Sequence, residues 1–385
     1  MSNLITVGEA YDPFFYANAA LRQLNKKLGL AFFVFRGFDK TPADKGSRIK
    51  LRRPGKFTAQ SMPIALASAS DILPEYMNMN LDQWFGSMFA LTDKELSYTR
   101  MQIVNEHVDP LAIAIADKID STLIGLQEDV AARHQHVSAT PVEDFPDIRK
   151  IMFDNLVPSS GRRYMVGGNL QNAYEKESVF YQADTGIDAE LLQRDGVLGA
   201  KFGFAPIFAN ENVTSHTAGT LAASVSAKID GADAKGATSI VVDNGGAGTL
   251  TGTIKAGDLL VIGAYKYAVA ADAAAGGDTV TITIVEPGLQ VATTDNLVVT
   301  FIQETSTERG CAFHNDAFAL AMSPLSSLGD GAGARIAAVT DPITGITLRS
   351  TIFYDPATAK NFVRIDALWG VKTQNPWLAV NVDFD

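Results

Sequence analysis

The chain has a single cysteine, Cys311, in the stretch RGCAFHNDAFALAMSPL, with His314 three residues on and Asp316 five residues on. On a helix, positions three apart share a face, so an imidazole there could draw the proton from the thiol and leave a thiolate nucleophile. Asp316 does not complete such a set, because positions five apart diverge around a helix. Phe313, Ala317, Phe318, Leu320 and Ala321 make the segment read as a packed helix or strand, with Cys311 a small apolar filler. The other histidines, His107, His134, His136 and His216, lack the His-Glu-x-x-His spacing of a zinc site. His134 and His136 stand two apart, a spacing that could meet on a strand, but they close a charged helical stretch and receive no role. VGGN and GGAGTLTG lack the Gly-Lys-Ser/Thr ending of a phosphate loop. Aspartates between 217 and 307 fall at turns without the spacing of a calcium loop. These residues point to no catalytic, cofactor or metal site.

The elements around them are those of a large chain. With 385 residues, 46% of them hydrophobic, it is long enough for two or three packed units. One cysteine makes no internal disulfide, and the opening MSNLITVGEAYDPFF shows no basic segment followed by an apolar run, so a reducing cytoplasm is expected. No apolar stretch reaches the roughly 20 residues of a membrane span. A formal charge of -11 excludes nucleic-acid wrapping by the whole surface.

One segment departs from that charge. Over 36–57, eight basic residues stand against Asp39 and Asp44, a local +6. Arg48, Ile49, Lys50, Leu51 and Arg52 alternate with the period of a strand, and Pro42 and Gly46 follow the β-rich AFFVFRGF, which predicts an exposed hairpin over 32–60. A solvated ribbon without a partner is the plainer reading. An isolated two-stranded ribbon is marginal in water, however, so a long charged one more often lies on something. Arg48, Lys50, Arg52, Arg53 and Lys56 are therefore the candidate subunit-contact residues.

Upstream, DPFFYANAALRQLNKKLGL predicts a short amphipathic helix begun by Asp12 and Pro13. Downstream, DPLAIAIADKIDSTLIGLQEDV predicts a helix of about six turns begun by Asp109 and Pro110. Its Asp117, Lys118, Asp120, Glu128 and Asp129 read as a solvated face. Residues 141–216 read as mixed helix and strand. From Thr217 to Thr307 the composition turns to Ala, Gly, Thr and Val. Short runs there, such as TSIVVD, DLLVIGAYKYAVAA and DTVTITIVE, predict a small inserted all-β, barrel-like domain with inward Ile240, Val242, Leu260, Ile262, Val280, Ile282, Ile284, Val298 and Phe301. The C-terminal stretch from Gly345 predicts a closing antiparallel sheet, which makes the fold class α+β.

In this order, DPLAIAIADKIDSTLIGL, DGVLGAKFGFAPIFANENV, KAGDLLVIGAYKYAV and RGCAFHNDAFALAM resemble the major capsid proteins of tailed phages with the Hong Kong 97 fold, and specifically the short-tailed-phage coat proteins that carry an inserted β-domain. The resemblance covers nearly the whole chain. It implies an N-terminal arm (1–31), an extended hairpin loop (32–64), a peripheral domain with a spine helix (65–140 and 341–385), an axial domain (141–216 and 308–340) and an inserted β-domain (217–307). The implied function is self-assembly into the pentamers and hexamers of an icosahedral head in the host cytoplasm, enclosing double-stranded DNA without sequence readout. A separate scaffolding protein and a portal protein are the implied partners. No cofactor, membrane or enzymatic activity is implied. A surface or fibre-type binding protein, with the β-domain as its adhesion module, is the alternative.

Overall fold

A computed structural model of the chain describes residues 13–36, 48–53, 62, 75–92, 104–181, 198–246, 248–325, 333–341, 345–358 and 360–384. In chain order its principal helices are α1 (Pro13–Lys27), α2 (Asp109–Ile124), α3 (Asp144–Asp154) and α4 (Gly168–Glu175). The framing strands are β1 (Arg48–Arg53), β2 (Glu75–Asn80), β3 (Gln83–Thr92), β4 (Arg133–Gln135), β5 (Arg162–Val166), β6 (Gly199–Lys201), β7 (Phe204–Ala209), β8 (Glu308–His314), β9 (Phe318–Ser323), β10 (Ala334–Thr340), β11 (Thr347–Asp355), β12 (Lys360–Thr373) and β13 (Ala379–Phe384). The class is α+β, with few helices and many strands.

The chain divides into two compact units. The first takes residues 1–32, 36–119 and 319–374. Its helix α1 begins on a proline, whose fixed φ and missing N–H suit a first turn, and buries Tyr16, Ala17, Ala20, Leu21 and Leu24 at helical spacing. Leu111, Ile115, Ala116 and Ile119 do the same for α2. That helix is 16 residues long, with a π-helical turn (Val104–Val108) before it and a 3₁₀ segment (Gly125–Asp129) after it, so the expected stretch is α-helical from Asp109 to Ile124 and tightens to 3₁₀ at its end. Strands β9, β12, β11 and β10 form an antiparallel sheet in that order, and β3 also pairs with β12, Phe85 opposite Ala367 and Phe89 opposite Val363.

The basic strand is where the sequence expected a strand, but its partner differs. Strand β1 pairs antiparallel with β2, setting Ile49 opposite Met79 and Leu51 opposite Met77. Ile49, Met77 and Met79 are buried. Of the expected partner, AFFVFRGF, Ala31 and Phe32 close a 3₁₀ turn (Leu30–Phe32) and the Phe35 N–H donates to the Phe318 carbonyl at 3.0 Å, while 37–47 and 54–60 of the expected hairpin lie outside the described residues. A nearly unbroken apolar run buries better inside a packed unit than along an exposed ribbon, where one face meets water.

The second unit takes residues 33–35, 120–318 and 375–385. Its six-stranded mixed sheet runs β4-β13-β8-β5-β7-β6. One face carries Tyr164, Val166, Ala312, Val380 and Val382 into a core completed by Phe145, Ile148 and Met152 of α3, Leu170 and Tyr174 of α4, and Phe180. The closing sheet expected from Gly345 onward is therefore shared. Strands β11 and β12 stay in the first sheet, while the 3₁₀ turn Pro376–Leu378 redirects the chain and β13 enters the second between β8 and β4.

Within the second unit, the strands between 222 and 302 pair only with one another. Ser239–Asp243 lies between Thr279–Thr283 and Lys228–Ile229, and Leu259–Ile262 between Tyr265–Ala268 and Val299–Ile302. Their core is drawn from residues 221–301 alone, with Ile240 opposite Ile282 and Val242 opposite Val280. Val298, expected inside, is 52% exposed; Val299 takes the inward place because it shares strand parity with Phe301. Entry and exit are joined by reciprocal backbone hydrogen bonds of 3.0 Å between His216 and Ser306.

Candidate functional site

Cys311 lies inside β8, fully buried, and burial pushes its thiol well above the usual range. On a strand, positions three apart face opposite sides, so His314 turns away from Cys311. The His314 Nδ1 accepts the Asp316 backbone N–H at 3.2 Å, within the turn that carries β8 into β9. A thiol buried in a low-dielectric sheet without a base is a packing group, and β8 and β9 are the strand form of the packed segment expected at 311–321.

The sequence reading missed a convergence on Asp144. His134 lies in strand β4 and His136 just past its end, and both reach this carboxylate: His134 Nε2 is 2.8 Å from Oδ1 and His136 Nδ1 is 2.5 Å from Oδ2. The Tyr174 hydroxyl donates to Oδ2 at 2.8 Å, and the Tyr164 hydroxyl lies 2.8 Å from that of Tyr174. Burial alone would raise the Asp144 carboxyl, but the hydrogen bonds from His134, His136 and Tyr174 outweigh it and hold the group below the ordinary carboxylate range. Burial raises both tyrosines well above theirs. Stacking of His136 on Phe384, with centroids 4.9 Å apart, closes the cluster from the side. The signal was the two-residue spacing of the histidines, read as the end of a helix where the chain forms an edge strand.

A second polar cluster gathers where residues 217–307 leave and rejoin the sheet. Asp258 accepts from His216 Nε2 at 3.0 Å and from the backbone N–H groups of Gly219 and Lys255 at 3.0 and 2.8 Å. Nearby, Arg309 Nε donates to Asp383 at 2.6 Å, across the β8–β13 ladder. Arg133 on β4 is held down to about 10 by burial and by the neighbouring Arg309 guanidinium. Glu308 caps α4, accepting the Asn169 and Leu170 N–H groups at 2.7 and 3.0 Å, where a carboxylate also complements the helix dipole. Each of these acids is spent on backbone or side-chain donors that fix one strand or helix against the next. Among the described residues no group of three or more His, Cys, Asp or Glu is arranged to hold a metal ion. A depression of about 500 Å³ beside β10 and β11, lined by Ala334, Arg335, Ile352, Phe353, Tyr354 and Asn361 among others, brings no acid and base together.

The contact candidates Arg48, Lys50, Arg52 and Arg53 all fall on β1. Their register positions oppose Asn80, Asn78, Tyr76 and Glu75. Lys56 lies outside the described residues.

Fold and polar clusters together define an α+β chain whose buried charges are architectural. No protein-family model and no curated protein matches it. Its neighbours among solved structures are phage capsids and heads and a virus-like particle. The chain is similar to a structure of Mycobacterium phage Che8, with 15% identity over 92% of this chain and 90% of that one and a TM-score of 0.49. It is similar to the head structure of Helicobacter pylori bacteriophage KHP40, with 12% identity over 100% and 93% of the two chains and a TM-score of 0.42. A virus-like particle from Pyrococcus furiosus gives 9% identity over 97% and 100%, and a TM-score of 0.44.

Proposed function

We propose that this chain is the major capsid protein of a tailed phage, assembling through many copies of itself into an icosahedral head around double-stranded DNA. The observation that carries the reading is the order of elements. An arm helix, a basic strand in an antiparallel ribbon, a long helix, a mixed α/β unit interrupted by a β-region with its own core, and a returning sheet follow one another as the sequence resemblance implies. Domain names follow from it: 1–31 the arm, 32–64 the extended loop, 65–140 with 341–385 peripheral, 141–216 with 308–340 axial, and 217–307 the inserted domain. The mechanism is conformational, since closed shells gain stability from interfaces repeated by symmetry. Scaffolding and portal proteins are the partners this reading assigns, with assembly in the host cytoplasm. Expression of the protein with and without its neighbouring genes, followed by negative-stain electron microscopy, tests it. Closed shells are expected, and a chain that stays monomeric in light scattering under every such condition would refute the reading.

A further inference from the structure

Three described residues other than glycine have left-handed backbone: Leu156 at φ 58°, Phe202 at 54° and Asn296 at 64°. Asparagine tolerates this region. Phe202 is compensated by packing, its ring stacked on Phe145 at 4.9 Å within the core of its unit. Leu156 has no such compensation, for it is 85% exposed.

Its position is the one after the cap of α3, where the closing turn demands left-handed backbone. The Val157 N–H donates to the Met152 carbonyl and the Leu156 N–H to that of Phe153, both at 2.9 Å, with Val157 and Met152 buried together. Glycine satisfies this geometry without a Cβ clash, and a leucine is strained there. Three residues back, in the last turn of α3, Phe153 is 73% exposed. The two exposed apolar side chains stand in a stretch that is otherwise polar at Asp154, Asn155, Ser159 and Ser160. The turn beneath is held rigid, because Arg162 donates to the Val157 and Pro158 carbonyls at 2.6 and 2.8 Å.

We propose that Phe153 and Leu156 are an anchor between copies of this chain, the strain at Leu156 being offset in the assembled contact. The inference rests on the shell reading. A second copy is the fitting occupant on charge grounds. The exposed side of α3 carries Asp147 and Asp154 against Arg149 and Lys150, neutral and mixed in sign, in a chain of net -11 whose copies otherwise repel. Buried apolar anchors with polar rims carry most of the energy of such contacts.

The test uses three variants of the full chain, Leu156→Gly, Leu156→Asn and Phe153→Ala, followed by thermal melting of the dispersed subunit and by light scattering during assembly. Glycine and asparagine both accept the backbone, so the two Leu156 variants should melt at or above the wild-type temperature, and Phe153→Ala close to it. Assembly of all three should slow about tenfold or more, the size of effect expected of an anchor residue. Wild-type assembly rates in all three, beside a wild-type protein that forms shells, overturn this proposal and leave the shell reading intact. A wild-type chain that never associates overturns both. A drop in melting temperature for Leu156→Gly overturns the argument from strain.

Discussion

Asp144 shows how a buried carboxylate is held charged. Three donors converge on it, from β4, from His136 just past that strand and from α4, and together they outweigh the cost of removing its charge from water. A carboxyl held below its unfolded range contributes stability above the unfolded pKa and loses it as pH falls through the folded value. Asp144→Asn should therefore cost about 2 to 4 kcal/mol near neutral pH, because it leaves buried donors facing an amide, and progressively less below about pH 4. Denaturant melts of both proteins across that range measure the difference; a constant gap down to low pH would show that the charge is not what matters. Cys311 makes the complementary case. Its thiol should resist iodoacetamide until the chain unfolds, and Cys311→Ala should lower stability by only about 1 to 2 kcal/mol with assembly unchanged. Rapid labelling of the folded subunit would return Cys311 to consideration as a reactive group.

At the scale of elements, the β-region of 217–307 carries the clearest expectation. Ile282 pairs across the ladder with Ile240 and is fully buried in a core that, among the described residues, draws on 221–301 alone. An unpaired aspartate there costs more than a core of this size can absorb, so Ile282→Asp should unfold the region, while the isolated wild-type fragment 217–307 should fold cooperatively by itself. A dispersed amide spectrum and one melting transition for the fragment check the second claim, and a random-coil spectrum would show that the region takes its order from the sheet it interrupts. The faces of its strands were legible because they alternate at period two, but its pairings, Ser239–Asp243 with Thr279–Thr283 and Leu259–Ile262 with Val299–Ile302, were not. The starts of α1 and α2 were legible for a similar reason, each lying where a proline follows an aspartate. What the sequence hid was pairing over distance. Strand β1 reaches past 54–74 to β2, and β13 leaves the neighbouring strands β11 and β12 for β8 and β4. Local periodicity fixes which face of a strand is apolar and says nothing of which apolar face it will meet. The convergence on Asp144 was hidden by the same limit, since a three-residue edge strand is defined by its partner more than by its own residues.

For the whole molecule, the proposed shell reading makes the charge distribution set the terms of assembly. Copies of a chain with net charge -11 repel, and the segment 36–57, with its local +6, offers the attraction that would bring them into register, mainly by steering encounter. The register of β1 decides which substitutions test this cleanly. Arg53 stands opposite Glu75, so its reversal would set two acids across from each other and weaken the ribbon itself. Arg48 and Arg52 stand opposite Asn80 and Tyr76, where reversal leaves no like-charged pair. The double variant Arg48→Glu/Arg52→Glu should therefore melt within about 2 °C of wild type, while its assembly slows about tenfold at low salt. Raising the salt from about 0.05 to 0.5 M should slow the wild type toward the variant, because screening removes the attraction the variant lacks. Light scattering over that series measures both slopes. Equal rates at every salt concentration would mean that these charges are merely solvated and that the copies are brought together by other surfaces.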